Sequence, residues 1–96
     1  MTKPEVVDWL LKNGFKSRGF GRYYRHYFRN ENRYGFREEV WEWITIRKDS
    51  VWISDTGEKD TFYECPLEGV HIGYEGYLWL PGIWELEPWE EETEND

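Results

Sequence analysis

Residues 40–54 constrain the fold more than any other stretch of this 96-residue chain. Two runs of β-branched and aromatic residues flank the polar residues 47–50, which is the pattern of an antiparallel hairpin. Pairing Ile46 with Val51 fixes the register of this hairpin. Three further pairs are then expected: Thr45 with Trp52, Ile44 with Ile53, and Trp43 with Ser54.

The predicted hairpin has two chemically different faces, because side chains alternate along a strand. One face is aliphatic and receives Val40, Ile44, Ile46, Val51 and Ile53. The other face carries the three indoles of Trp41, Trp43 and Trp52. We expect a helix to cover the aliphatic face. The indole face is either buried under the C-terminal third of the chain or offered to a partner.

The N-terminal segment predicts the covering helix, with a length of about three turns. Thr2 is a potential N-cap, a proline stands in the first turn, and Glu5 completes a capping box. Apolar residues recur at helical spacing at positions 6, 7, 10 and 11, and residues 13–14 are a typical stop signal. Asp8 and Trp9 are expected to point outward or sideways.

The remaining sequence predicts the other strands of one antiparallel sheet. Residues 22–29 are typical of a basic, aromatic strand, whereas the glycines within residues 17–21 indicate a flexible segment. Residues 55–60 are typical of a polar turn, and a short strand at residues 61–65 ends at Pro66.

The fold prediction is one α+β domain over residues 1–89. It has one N-terminal helix packed on a four- to five-stranded antiparallel sheet, followed by an irregular Trp-rich C-terminal segment. Residues 90–96 are almost entirely acidic or polar and are predicted to be a disordered tail.

The formal net charge of −8 is unevenly distributed along the chain. Residues 1–37 contain nine Lys or Arg and three Asp or Glu, whereas residues 38–96 contain three and seventeen. Most of these charges are expected to neutralise each other across neighbouring strands. The acidic excess would repel nucleic acid from most of the surface.

The sequence predicts a non-enzymatic, cytoplasmic protein without a metal or cofactor. Cys65 is the only cysteine, so an intramolecular disulfide is excluded. There is no apolar leader and no run long enough to cross a membrane. The two histidines and the cysteine have neither metal-ligand spacing nor a nucleophile motif, and we assign no catalytic residue.

The preferred functional hypothesis is protein binding through the C-terminal segment, where tryptophans stand among acidic residues as interface anchors do. The predicted partner-binding residues are Trp79, Trp84, Glu85, Glu87, Trp89, Glu90, Glu91 and Glu92. Such a surface suits a basic cleft that normally holds nucleic acid. The small, acidic, single-cysteine chain resembles in kind the phage-encoded anti-CRISPR proteins that act as nucleic-acid mimics. That resemblance implies an inhibitor of a host nucleic-acid-processing or defence complex, acting in the host cytoplasm.

Three alternatives remain open, and the third follows from a family resemblance. The first is single-stranded nucleic-acid binding by a Tyr/Arg strand, in which rings stack on bases and guanidinium groups reach phosphates. Its predicted residues are Arg22, Tyr23, Arg25, Tyr27 and Arg29. An acidic tail folded over this strand would compete with the nucleic acid. The second alternative is self-association, with the indole face as an isologous dimer interface.

Two short matches resemble nucleic-acid-related families. Arg18-Gly19-Phe20-Gly21 resembles the opening of the signature strand of the RNA recognition motif, although Arg25 occupies its closing aromatic position and a βαββαβ order is absent. Residues 4–28 resemble HicA-type toxin ribonucleases in a short helix, then Asn13-Gly14-Phe15, then a basic strand. This resemblance implies a ribonuclease with His26 as acid/base residue. The chain lacks that family's Gly-Ser-His before the strand and its second helix.

Overall fold

The helix at the N-terminus has the predicted caps. In the computed structural model, which describes residues 1–30, 35, 37–54, 63–82 and 84–89, helix α1 spans Lys3–Lys12. The Glu5 N–H donates to Thr2 Oγ1 at 3.4 Å, and the Thr2 N–H donates to Glu5 Oε1 at 2.8 Å. This reciprocal pair is the predicted capping box, and it satisfies backbone donors that have no partner within the helix.

Five antiparallel strands form the main sheet in the order of the sequence. They are β1 (Lys16–Gly19), β2 (Arg22–Asn30), β3 (Arg37–Ile46), β4 (Ser50–Ser54) and β5 (Tyr63–Pro66). The β3–β4 hairpin has the predicted register, since Ile46 pairs with Val51 and Trp43 pairs with Ser54. The helix and the antiparallel sheet confirm the α+β prediction. The polar turn expected at residues 55–60 lies outside the described residues.

Strand β1 was not expected, because the glycines around it indicate flexibility in the sequence. They instead build a tight β1–β2 hairpin, in which Gly19 pairs with Arg22 and only two residues make the turn. Both turn residues, Phe20 and Gly21, have positive φ values of 56° and 75°. A two-residue hairpin turn of this kind matches the twist of the strands that it connects.

The C-terminal segment is more regular than predicted. It contains two 3-10 turns, at Leu67–Gly69 and Tyr74–Gly76, and a second antiparallel sheet. The strands of this small sheet are β6 (His71–Ile72), β7 (Leu78–Leu80) and β8 (Trp84–Leu86). Its leucines at positions 78, 80 and 86 are almost completely buried, so apolar burial holds these short strands in place. The tail predicted at residues 90–96 lies outside the described residues.

The hydrophobic core lies on one side of the main sheet, which we call the inner face. Residues from α1, from β3 and β4, and from the small sheet meet there, including Val6, Leu10, Ile44, Val51 and Leu80. Trp9, which was expected to point outward or sideways, also belongs to this core. Its indole is 6 % exposed, and Nε1–H donates to the Gly76 carbonyl at 3.0 Å. A partner for the N–H makes the burial of an indole favourable.

The opposite side of the main sheet, the outer face, carries the indoles of the hairpin. The core contains none of Trp41, Trp43 and Trp52, and the described part of the C-terminal third packs on the inner face. Trp41 is 37 % exposed, and Trp43 and Trp52 are partly buried. Among the described residues, the C-terminal third therefore leaves the indole face uncovered.

Candidate binding surfaces

Arg25 is the most completely buried charged residue of the inner face, with 2 % of its surface exposed. Its Nε donates to Glu42 Oε1 at 2.8 Å, directly across the β2–β3 pair. Its Nη1 donates to two carbonyl oxygens, those of Asn13 at 2.8 Å and Glu87 at 3.0 Å. A guanidinium group removed from water requires such partners, so Arg25 joins the end of α1, strand β3 and the C-terminal segment.

Three aromatic rings surround this guanidinium group. Its carbon lies 4.5 Å from the ring centroid of Phe15, 5.4 Å from that of Tyr27 and 5.8 Å from that of Trp89. The backbone N–H of Trp89 also donates to Asn13 Oδ1 at 2.9 Å. The last described residues of the chain are therefore held against the C-terminal end of α1.

These contacts change the interpretation of the Tyr/Arg strand. Tyr23 packs against the core and Arg25 is sequestered from solvent, so Arg25 is not available to a phosphate. Alternation along β2 places Arg22 on the outer face, on the opposite side of the sheet from Tyr23 and Arg25. Arg29 is placed by its backbone alone, opposite Glu38. The predicted set therefore does not form one exposed surface, because its central arginine pairs with Glu42 inside the protein.

A cavity of about 570 Å³ opens where the C-terminal segment meets β2. Its lining combines aromatic rings with carboxylates and consists of Arg25, Tyr27, Phe28, Glu75, Tyr77, Glu87, Pro88 and Trp89. Tyr27 and Trp89 meet edge to face, with ring centroids 5.6 Å apart. A cavity of this size with a few polar groups is typical of a binding site.

Carboxylates cluster beside this cavity, around the phenol of Tyr77. The nearby carboxylate of Glu87, helped by burial and by Glu75 and Glu85, raises the pKa of the Tyr77 phenol above its ordinary value of 10.0. The cause is that a phenolate would stand among like charges. The carboxylates of Glu75, Glu85 and Glu87 therefore all act on the phenol of Tyr77. They do so although Arg25 also lines the cavity.

Four of the residues predicted to bind a partner belong to this region. Glu87 and Trp89 line the cavity, while Trp79, which is 42 % exposed, pairs with Glu85 across the small sheet. We call this region the acidic surface, and it comprises Glu75, Tyr77, Trp79, Glu85, Glu87 and Trp89. Of the other predicted residues, Trp84 is placed by its backbone alone, and Glu90, Glu91 and Glu92 lie outside the described residues.

Three residues that line the cavity, Tyr27, Glu75 and Tyr77, were not predicted to bind the partner. Tyr27 reaches the cavity from a strand about fifty residues earlier in the sequence. Tyr77 stands in a glycine-rich stretch that offers no regular pattern. Only its position two residues before Trp79 relates it to the predicted set.

The outer face has a different chemistry. Its aromatic side chains form a connected cluster: His26 stacks on Trp41 with centroids 3.9 Å apart, and Tyr24 stacks on Trp43 at 5.3 Å. The planes of Trp41 and Trp43 are nearly parallel, at 9°. Phe28 continues the cluster and is 51 % exposed.

Four arginines lie over rings of this face. The distances from guanidinium carbon to ring centroid are 5.7 Å for Arg18 over Tyr24, 5.5 Å for Arg22 over Trp43, 4.7 Å for Arg37 over Phe28, and 4.8 Å for Arg47 over Trp52. The salt bridges found in the described part of the chain include none of these four arginines. The outer face is thus both aromatic and basic.

The groups that could support catalysis are few in the described residues. His26 Nε2 lies 2.7 Å from Glu39 Oε2, and its ring is covered on one side by Trp41. Cys65 is buried, and burial raises the pKa of its thiol, which makes the reactive thiolate scarcer. Within the ranges that the structure describes, no group of three or more His, Cys, Asp or Glu is placed to hold a metal ion.

Comparison with known proteins supplies no family for this chain. No family model, no curated protein and no solved structure matches it. Among the described residues, no helix is both long enough and apolar enough to span a membrane. Function must therefore be inferred from the two surfaces themselves.

Proposed function

We propose that the protein is a non-enzymatic module that binds a basic partner protein through its acidic surface. The observation that carries this proposal is the cavity, which has aromatic walls and carboxylates in its lining. A lysine or arginine side chain of the partner would enter it. The exposed Trp79 and Trp89 would supply the apolar contact area around that side chain.

The chemistry of the cavity favours a cation over a neutral or anionic group. Aromatic faces attract ammonium and guanidinium groups, and carboxylates complete the neutralisation. The charge of Arg25 does not oppose this, because Glu42 pairs with it at 2.8 Å. The remaining charges of the lining are the carboxylates of Glu75 and Glu87.

The backbone at Glu75 supports a functional role for this residue. Glu75 has φ +60° and ψ 22°, a left-handed conformation that is uncommon for residues other than glycine. Such strain costs on the order of 1–3 kcal/mol and concentrates at binding sites. Here it places a carboxylate in the lining of the cavity.

In its most specific form, the proposal is an inhibitor of a host nucleic-acid-processing or defence complex. Clefts that hold nucleic acid are lined with lysine and arginine, because these residues neutralise phosphates. An acidic surface with aromatic anchors has the chemistry to occupy such a cleft. Phage-encoded anti-CRISPR proteins that mimic nucleic acid work in this way.

The proposal is tested by titrating the full chain with short oligoarginine and oligolysine peptides and measuring affinity by calorimetry. We expect Glu87→Gln and Glu75→Gln each to weaken binding by about two- to fivefold, as removal of a partly exposed charge pair does. Glu68→Gln is the matched control, since Glu68 is exposed but does not line the cavity. Equal weakening by all three variants would reduce the effect to net charge and would contradict the proposal.

The contribution of the predicted residues Glu90, Glu91 and Glu92 is measured separately by removing residues 90–96. We expect a loss of affinity that increased salt abolishes, because these charges would act through a screened potential. Unchanged affinity at low salt would remove these three residues from the site.

A further inference from the structure

We infer that the outer face is a separate site for single-stranded nucleic acid. It combines a connected cluster of aromatic rings with arginines that lie over them. Its aromatic members are Tyr24, His26, Phe28, Trp41, Trp43 and Trp52, and its basic members are Lys16, Arg18, Arg22, Arg37 and Arg47. Phe28 lies where this site meets the cavity, but the inference does not rest on the proposed function.

The position of the arginines points to an anionic ligand. The chain has a net charge of −8, and carboxylates are abundant. Nevertheless, in the described part of the chain the salt bridges of carboxylates are with Lys12, Arg25 and His26, and with none of the outer arginines. The described carboxylates of this face include Glu39, which is engaged with His26, and Glu64, which is opposite Trp52 in the β4–β5 pair. Within the described part of the chain, these arginines therefore keep their positive charge without a salt bridge.

The arrangement of rings and arginines favours nucleic acid over other anions. A guanidinium group and an aromatic ring occur together four times on this face. A single strand is also a repeat of two groups, a flat base and a phosphate. Bases stack on aromatic side chains without regard to sequence, while arginines reach the phosphates.

Binding would exchange one set of contacts for another. In the free protein each of these guanidinium groups lies over a ring, with 4.7–5.7 Å between the guanidinium carbon and the ring centroid. On binding, the arginine would move to a phosphate and the base would take its place on the ring. An exposed cation–π contact is weaker than a base stack combined with a charge-assisted hydrogen bond, so the exchange is favourable.

The same chemistry favours a single strand over a duplex. The bases of a duplex are stacked on each other and cannot lie on the rings of an open sheet. The acidic remainder of the protein would also repel a long, rigid polyanion. We therefore expect binding that is short-ranged, tolerant of sequence and strongly dependent on salt.

The experiment is a fluorescence anisotropy titration of the full chain with a labelled oligothymidylate at low salt. An abasic oligonucleotide with the same number of phosphates measures the contribution of the bases. We expect the oligothymidylate to bind at least about tenfold more tightly than the abasic strand, which corresponds to one base stack. Affinity that is equal for the two strands would overturn the inference, and so would the absence of binding.

Variants locate the site. Arg22→Gln should weaken binding and lower the slope of log affinity against log salt by about 0.7, which is the value for one phosphate contact on a single strand. Trp41→Leu should weaken binding of the oligothymidylate by about fivefold or more while leaving the abasic strand nearly unaffected. If neither variant changes binding, although circular dichroism shows both to be folded, the outer face is not the site.

Two controls distinguish binding at the outer face from an effect of net charge and from binding at the acidic surface. Lys3→Gln removes the same charge as Arg22→Gln but lies on α1, on the other side of the sheet, so we expect little change. Glu87→Gln tests independence from the acidic surface and should leave oligothymidylate binding within about twofold, since long-range charge effects are screened. A loss with Lys3→Gln equal to that with Arg22→Gln would mean that net charge alone controls the binding.

Discussion

Two arginines of the same strand show how differently the two faces of the sheet use one side chain. Arg25 faces inward, with a carboxylate, two carbonyl oxygens and three rings around it. Arg22, three residues earlier, is exposed and lies over Trp43. Both are cations beside aromatic rings, but only Arg25 is buried from solvent.

The difference teaches which arginine the fold requires. Removing one partner of a buried ion pair leaves the other charge without water or a counterion, which costs about 3–5 kcal/mol. An exposed cation–π contact is worth only about 0.5–1 kcal/mol. Stability therefore accounts for Arg25, whereas it accounts for little at the outer arginines.

The largest expected effect follows from replacing each of these arginines by methionine. Arg25→Met should lower the free energy of unfolding by about 3–5 kcal/mol, because the carboxylate of Glu42, whose side chain is only 13 % exposed, would lose its partner. Arg22→Met should lower it by less than about 1 kcal/mol. Urea denaturation followed by circular dichroism measures both values.

A double variant tests the reason for this difference. Arg25→Met combined with Glu42→Leu should recover most of the lost stability, since an apolar pair can replace a buried ion pair of similar volume. If the double variant is as unstable as Arg25→Met, the loss arises from the carbonyl oxygens of Asn13 and Glu87 and not from the unpaired carboxylate.

A smaller effect concerns the packing that closes the inner face at the end of α1. Gly14 has φ +89°, and a Cβ atom there would lie 2.9 Å from Trp89 Cδ2. Gly14→Ala should therefore cost about 2–4 kcal/mol, from left-handed strain together with displacement of the indole. Gly19 has a similar φ of +86° with open space around it, so Gly19→Ala should cost only about 1–2 kcal/mol.

The difference between these two glycine variants isolates the contact with Trp89. Thermal unfolding measures both variants, and fluorescence of the tryptophans reports whether Trp89 has moved. Equal losses of stability would show that Trp89 does not hold the C-terminal segment against the helix.

Periodicity predicted the parts of the fold in which neighbouring residues decide the structure. The β3–β4 register and the caps of α1 depend on local patterns and are confirmed. Strand β1 and the pairing of β6, β7 and β8 into a second sheet were not predicted, because the glycines near these strands indicate flexibility when the partner strand is unknown. Trp9 was misplaced for a similar reason: its partner, the Gly76 carbonyl, is 67 residues away.

Alternation also predicted which residues share a face. In β2 it grouped Tyr23, Arg25 and Tyr27 correctly, and Arg25 and Glu42 form a cross-strand charge pair of the expected kind, but the burial of Arg25 was not predicted. Burial depended on Glu42 in the next strand and on two distant carbonyl oxygens. The candidate site was likewise predicted in part, since Trp79, Glu85, Glu87 and Trp89 are close in sequence whereas Tyr27 is not.

The smallest expected effect concerns the negative potential that distinguishes the acidic surface from the outer face. Glu87 is the main cause of the raised pKa of Tyr77, so Glu87→Gln should return this pKa toward 10.0. Tyrosinate absorbance measures the titration, with Tyr77→Phe identifying the step. The pKa of Tyr77 is raised in the folded state. The neutral phenol therefore contributes stability that is fully present below the pKa of the unfolded chain and is lost as pH rises through the pKa of the folded protein. Glu64→Gln removes a carboxylate of the outer face and should leave the step unchanged, whereas an equal shift in both variants would mean that the two surfaces share one diffuse potential.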